Sequence, residues 1–82
     1  MLSGIVELDI HGMDTRQAKI LIDSRLKQAG PGVYRLRIIH GYRGGTALRT
    51  LVRGAYSRHA RVLRVEFGLN PGETDLVLRE YL

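Results

Sequence analysis

Ile5-Val6-Glu7-Leu8-Asp9-Ile10-His11-Gly12-Met13-Asp14 is the stretch from which the fold can be read. Val6, Leu8 and Ile10 alternate with Glu7, Asp9 and His11, and a period of two places the two sets on opposite faces of a β-strand. The first set is apolar and asks for burial; the second is polar. Gly12 breaks the strand. Asp14 then has the carboxylate of a helix N-cap, and Gln17, three residues on, completes a capping box. In the run that follows, Ala18, Leu21, Ile22, Leu26 and Ala29 fall on one stripe at helical spacing, and Gly30-Pro31 stops it.

The same grammar repeats. Residues 33–40 form a second apolar, β-branched run, in which Leu36 and Ile38 would face the helices and Arg35 and Arg37 would face away. His40-Gly41-Tyr42-Arg43-Gly44-Gly45 is a glycine-rich turn, and Thr46 stands as N-cap of a second helix reaching about Ser57. Its stripe is Leu48, Leu51, Val52, Ala55 and Tyr56. Residues 62–67 read as a third strand, Asn70-Pro71-Gly72 as a turn, and residues 74–82 as a returning strand. The order βαβαββ predicts an α/β (α+β) two-layer sandwich, a four-stranded mixed sheet with both helices on one face. Right-handed crossovers make the first three strands parallel; the short turn makes the fourth antiparallel to the third. The second face of the sheet is left at least partly open.

The chain is 82 residues long, which leaves room for one domain, residues 1–82, and one core. It has no cysteine, which excludes disulfides, thiolate metal sites and a thiol nucleophile. No basic segment leads into a long apolar run, so the expected location is the cytoplasm, with no membrane partner. The net charge is +5, but its placement says more than its size. No Asp or Glu occurs from Ser24 through Val65, a stretch that holds Arg25, Lys27, Arg35, Arg37, Arg43, Arg49, Arg53, Arg58, Arg61 and Arg64. A block of one sign suggests a polyanionic partner, and arginine suits forked contacts to phosphate.

Two constellations could carry chemistry. Asp9 and His11 are two residues apart at a strand end and so share a face, the one not claimed by Val6, Leu8 and Ile10. A carboxylate beside an imidazole can orient the ring and stabilise its cation, as general acid–base cleavage of a phosphodiester requires. The His40 loop also follows a strand and precedes a helix, so it should lie at the same edge of the sheet. Its glycines free backbone amides to meet an anion, Arg43, Arg49 and Arg53 offer cationic contacts, and Tyr42 offers a ring for stacking. With His11 and His40 both bordering one notch, two imidazoles could divide base and acid roles. The loop is neither a Walker A motif nor a dinucleotide fingerprint. A divalent metal such as magnesium is an option, yet Asp9 with one or two histidines is too small a ligand set to define a site. His59, in a basic loop at the opposite end, reads as solvated or as a helix C-terminal cation.

Four separated blocks match a known pattern. Leu8-Asp9-Ile10-His11-Gly12 resembles the opening motif of the Smr (small MutS-related) domain family, and Leu36-Arg37-Ile38-Ile39-His40-Gly41 resembles its second block. Ala47-Leu48-Arg49 is similar to the start of its second helix, and Gly72-Glu73-Thr74-Asp75-Leu76-Val77-Leu78 to its closing segment. The glycine loop is a variant: Gly41 and Gly45 keep the outer places of Gly-x-Gly-x-Gly, Arg43 takes the middle one, and Gly44 is added. The resemblance implies a fold like the C-terminal domain of bacterial translation initiation factor three. It implies binding of branched DNA, structured RNA or ribosomes, and in some members endonuclease activity. Cleavage would map onto Asp9 and His11, with nucleic-acid contact on His40, Gly41, Tyr42, Arg43, Gly44 and Gly45. The leading expectation is an endonuclease that nicks DNA or cleaves RNA. The alternatives are a non-catalytic nucleic-acid or ribosome-binding module, and a protein-interaction domain whose arginines meet an acidic partner.

Overall fold

A capping box starts the first helix and opposite-sign pairs close the sheet, and both are visible in the computed structural model, which describes residues 4–42 and 46–80. The elements are β1 (Ile5–Asp9), α1 (Thr15–Gln28), β2 (Arg35–Ile39), α2 (Ala47–Ala55), which runs into a 3₁₀ turn at Tyr56–Arg58, β3 (Arg64–Glu66) and β4 (Glu73–Val77). The Asp14 carboxylate accepts from the Gln17 amide (2.8 Å) while the Gln17 side chain accepts from the Asp14 amide (3.3 Å). Thr46 occupies the N-cap of α2, but its hydroxyl makes no capping hydrogen bond.

The sheet order is β1-β2-β4-β3, with β1 parallel to β2 and β4 antiparallel to both β2 and β3. The first three strands therefore share a direction, as expected, yet β3 hydrogen-bonds to no parallel neighbour. The hairpin folds β4 back between β2 and β3. Strands are shorter than their hydrophobic runs. Residues 33 and 34 precede β2, and β4 ends at Val77, where the chain makes isolated bonds such as Leu78 N–H to Tyr34 O (2.8 Å). β3 keeps three residues, a length that limits the unpaired edge it presents.

One face carries the core. Leu8, Ile10, Leu36, Ile38 and Leu76 from the sheet side pack against Ala18, Ile22 and Leu26 of α1 and Val52 and Tyr56 of the second helical segment. Each such large side chain contributes about 1.5–3 kcal/mol by leaving water. In α2, Leu48 and Leu51 pack at the margin of this cluster, whereas Ala55 is exposed, beyond the reach of the core. Tyr56 ties the two helical segments together: its buried hydroxyl donates to Asp23 Oδ1 (2.6 Å), which sits on α1 beside Lys19. Burial first, then the bond to Asp23, pushes the Tyr56 phenol well above its ordinary value. No described helix is long and apolar enough to cross a membrane.

The other face pairs part of the basic block with acids. Asp75 lies between Arg37 on β2 and Glu66 on β3 in the strand register. Its carboxylate accepts from Arg35 Nη1 (2.7 Å), Arg37 Nε (3.0 Å) and Arg37 Nη2 (3.1 Å). Arg35 also reaches Glu66 (2.9 Å), and Arg64 pairs with Glu66 (2.7 Å) and Glu80 (2.6 Å). Three arginines of the block are thus neutralised by acids that follow it in sequence, because cross-strand neighbours, not chain neighbours, set the local charge. Burial alone would raise the Asp75 carboxyl, but the hydrogen bonds from Arg37 and Arg35 outweigh it and hold it below the usual carboxylate range.

Asp75→Asn should therefore cost about 2 kcal/mol at neutral pH, since it removes the part-buried anion that two half-buried guanidinium groups share. The folded carboxyl titrates below its ordinary value of 3.8, so its stabilisation is complete above that value and is lost as pH falls through the folded one. Urea unfolding at pH 7 and pH 3 checks both parts: the gap between wild type and variant should narrow at the lower pH.

Candidate functional site

Asp9 closes β1 on the open face, and the chain then turns at Gly12, whose φ of +82° suits glycine. His11 folds back over the strand end. Its Nδ1 lies 2.5 Å from Asp9 Oδ1, and its backbone N–H donates to the same oxygen at 3.0 Å. An ionised carboxylate can only accept, so Nδ1 carries the proton and Nε2 is left to face outward. The side chains of His11 and Asp9 are 70% and 51% exposed. The His11 ring first, and then the His11 amide, hold the Asp9 carboxyl below its usual value. The result is an exposed imidazole whose orientation and tautomer are set by a neighbouring anion.

His40 differs from His11. It follows β2 but is only 5% exposed. Its Nδ1 lies 2.6 Å from Gly41 O, and its Nε2 lies 2.8 Å from Thr74 Oγ1. A carbonyl only accepts, so Nδ1 donates; the neutral ring's Nε2 then accepts from the Thr74 hydroxyl. That leaves Thr74 Oγ1 free to accept from Arg53 Nε, at 2.9 Å. Burial lowers the His40 ring below its ordinary value, the Gly41 carbonyl opposes the shift, and the charges of Arg53 and Arg49 reinforce it. His40 was expected as a second catalytic imidazole. The structure places it in the wall of the notch, nearly buried, with both nitrogens engaged by Gly41 O and Thr74 Oγ1.

The two strand ends do lie side by side. A Cβ built on Gly41, whose φ is +76°, would come 3.6 Å from His11 Cβ, and Gly72 O accepts from both His40 N–H (2.9 Å) and Gly41 N–H (3.0 Å). His11, Gly12, Ile39, His40, Gly41 and Tyr42 line a notch of about 440 Å³, large enough for a nucleotide-sized group. Tyr42 is exposed at its rim. Arg53 and Arg49 approach from α2. Arg43, Gly44 and Gly45 lie outside the described residues. His59 stands apart, with its Nδ1 accepting from Arg61 N–H (3.1 Å) and its ring stacked on Tyr56. Among the described residues no three acidic or imidazole side chains converge as metal ligands. Asp9 Oδ1 already accepts two hydrogen bonds.

Two residues of this edge carried no role in the sequence reading. Thr74 is fully buried and bridges His40 to Arg53; its signal was its place in the closing Gly72-Glu73-Thr74 block. Phe67 lies just past β3, with the Arg53 guanidinium 4.1 Å from its ring centroid. No local pattern marked it.

The Smr domain family model matches residues 8–73 of the chain. Among solved structures, the crystal structure of the Smr domain of Thermus thermophilus MutS2 is similar, with 32% sequence identity and a TM-score of 0.79. The match covers 92% of this chain and 99% of that one. No curated protein matches the sequence.

Thr74→Val keeps the shape but removes the hydroxyl that serves both His40 and Arg53, and should cost about 1–3 kcal/mol by leaving buried polar groups unpaired. His40 has a folded value below its ordinary 6.5, so its contribution is full above that pH and is lost as pH falls below it. Thermal unfolding between pH 7.5 and 5 should show wild-type Tm declining on acidification, and nitrogen chemical shifts of the ring at pH 7 should report the Nδ1–H form.

Proposed function

The chain belongs to the Smr domain family, and on that premise we propose that it binds nucleic acid along the edge bearing the notch and cleaves a phosphodiester there. The observation that carries this reading is the Asp9–His11 pair, in which a carboxylate fixes an exposed imidazole with Nε2 outward. In that state Nε2 is a base within reach of whatever enters the notch. It removes a proton from the attacking hydroxyl, of water or of a ribose. The new P–O bond forms as the leaving oxygen departs, and that oxygen takes its proton from the imidazolium or from solvent. Asp9 stabilises the imidazolium without itself accepting the proton. Arg49 and Arg53 supply positive charge toward the phosphate, and His40 and Thr74 act as positioning residues behind them.

The substrates this reading favours are branched DNA or structured RNA, free or within a ribosome. A second reading, binding without cutting, draws support from His40: with both of its nitrogens engaged, one exposed imidazole remains where cleavage commonly uses a base and an acid.

Incubation with branched DNA and with structured RNA separates the two. Asp9→Asn and His11→Ala should each lower the cleavage rate about 10²–10⁴-fold, the usual weight of a positioned base, while leaving binding nearly intact. Products that persist in both variants would refute the catalytic assignment, and tight binding with no products in wild type would favour the second reading. Arg49→Ala should weaken binding across sequences and reduce the slope of log affinity against log salt by about 1.

A further inference from the structure

The edge that carries the notch continues past it. His11 follows β1, His40 follows β2, Thr74 is the second residue of β4, and Phe67 follows β3. In the sheet order these four strands are successive neighbours. Three inter-strand steps of about 4.8 Å put Phe67 roughly 14 Å across the sheet end from the strand that bears His11. Between them lies the relay His40–Thr74–Arg53.

Phe67 is the chain's sole phenylalanine, and the chain has no tryptophan. A ring of that size is ordinarily spent on the core, yet Phe67 is 61% exposed. One side of the ring carries the Arg53 guanidinium, so the exposure belongs to the remaining face and edge. Arg53 is not a loose surface cation. Its Nε is held by the Thr74 hydroxyl, and no carboxylate pairs with it among the described residues. Leu69, at the tip of the same hairpin, is also fully exposed. The arrangement is an anchored cation backing an open aromatic face, next to an apolar shoulder. A protein partner with acidic groups would use the arginine but not the ring; a base has a π-face for the ring and a phosphate for the guanidinium.

We infer that Phe67 backed by Arg53 is a stacking platform for an unpaired base, so the nucleic acid taken along this edge is one that presents unstacked nucleotides beside the notch. The inference rests on the nucleic-acid reading above and narrows it. A continuous duplex keeps its bases stacked on one another and offers the ring nothing. A junction, a loop or a single strand offers a base within a few nucleotides of the phosphate held near His11.

The test compares a hairpin with an unpaired loop, a four-way junction with unpaired arms and a blunt duplex of equal length, at one salt concentration. Phe67→Ala and Phe67→Leu should each lose about 10-fold in affinity for the two substrates with unpaired bases and change little on the duplex. The salt slope should stay as in wild type, because no charge is removed. Phe67→Trp should keep the affinity, and its indole, the single one in the chain, should be quenched by the unpaired substrates and not by the duplex. Equal losses on all substrates, full affinity in Phe67→Leu, or an unquenched indole would overturn the platform. Wild-type protein that binds none of the three would overturn the nucleic-acid reading as well, whereas wild-type binding that is indifferent to Phe67 overturns the platform alone.

Discussion

The antiparallel pairing of β4 with β2, from Ile39 opposite Glu73 to Arg35 opposite Val77, is the constraint on which the other features depend. Because successive side chains of β4 point to opposite faces, one strand serves both sides of the sheet. Thr74 and Leu76 turn inward, where Leu76 completes the core and Thr74 meets His40. Asp75 turns outward to Arg35 and Arg37. A register slip of one residue would bury Asp75 among the aliphatic side chains and expose Leu76, so both faces enforce the same alignment. The backbone just before β4 takes part as well, since Gly72 O holds the amides of His40 and Gly41.

From this pairing follows the division of labour between the two histidines. Each ends a strand and precedes glycine, and in sequence they look alike. His11 sits at an edge strand with its partner carboxylate two residues away, so its ring is oriented yet open. His40 follows an interior strand beside β4, so its ring is drawn into the interior and burial lowers its pKa. One keeps its ring at the surface, and the other spends both ring nitrogens on internal partners. The contacts from His40 through Thr74 to Arg53 and Phe67 run on across the sheet end.

Electrostatics follows the same logic. The acid-free half of the chain does not fold into a uniformly basic surface, because Arg35, Arg37 and Arg64 meet acids brought by β3, β4 and the residues after it. The open face of the sheet thereby becomes a largely self-neutralised lattice. Among the described residues, Arg49 and Arg53 of α2 bring positive charge to bear on His40.

Much of this was legible before any coordinates. Alternation in β1, the Asp14–Gln17 capping box and the stripes of both helices are local features, set by residues no more than about one or two turns apart, and local sterics and capping dictate them. The contact of Asp9 with His11 belongs to the same class, being two residues long. The sequence alone thus determined the elements, their order and the pairing of Asp9 with His11. The partners of Arg35, His40 and Arg53 lie 40, 34 and 21 residues away. Whether an arginine is paired, whether an imidazole keeps a nitrogen for a substrate, and whether an aromatic ring is left outside the core depend on which strand comes to lie beside which. Only the tertiary structure decides that, because hydrogen bonds and ion pairs act over a few ångströms of space, whatever the distance along the chain.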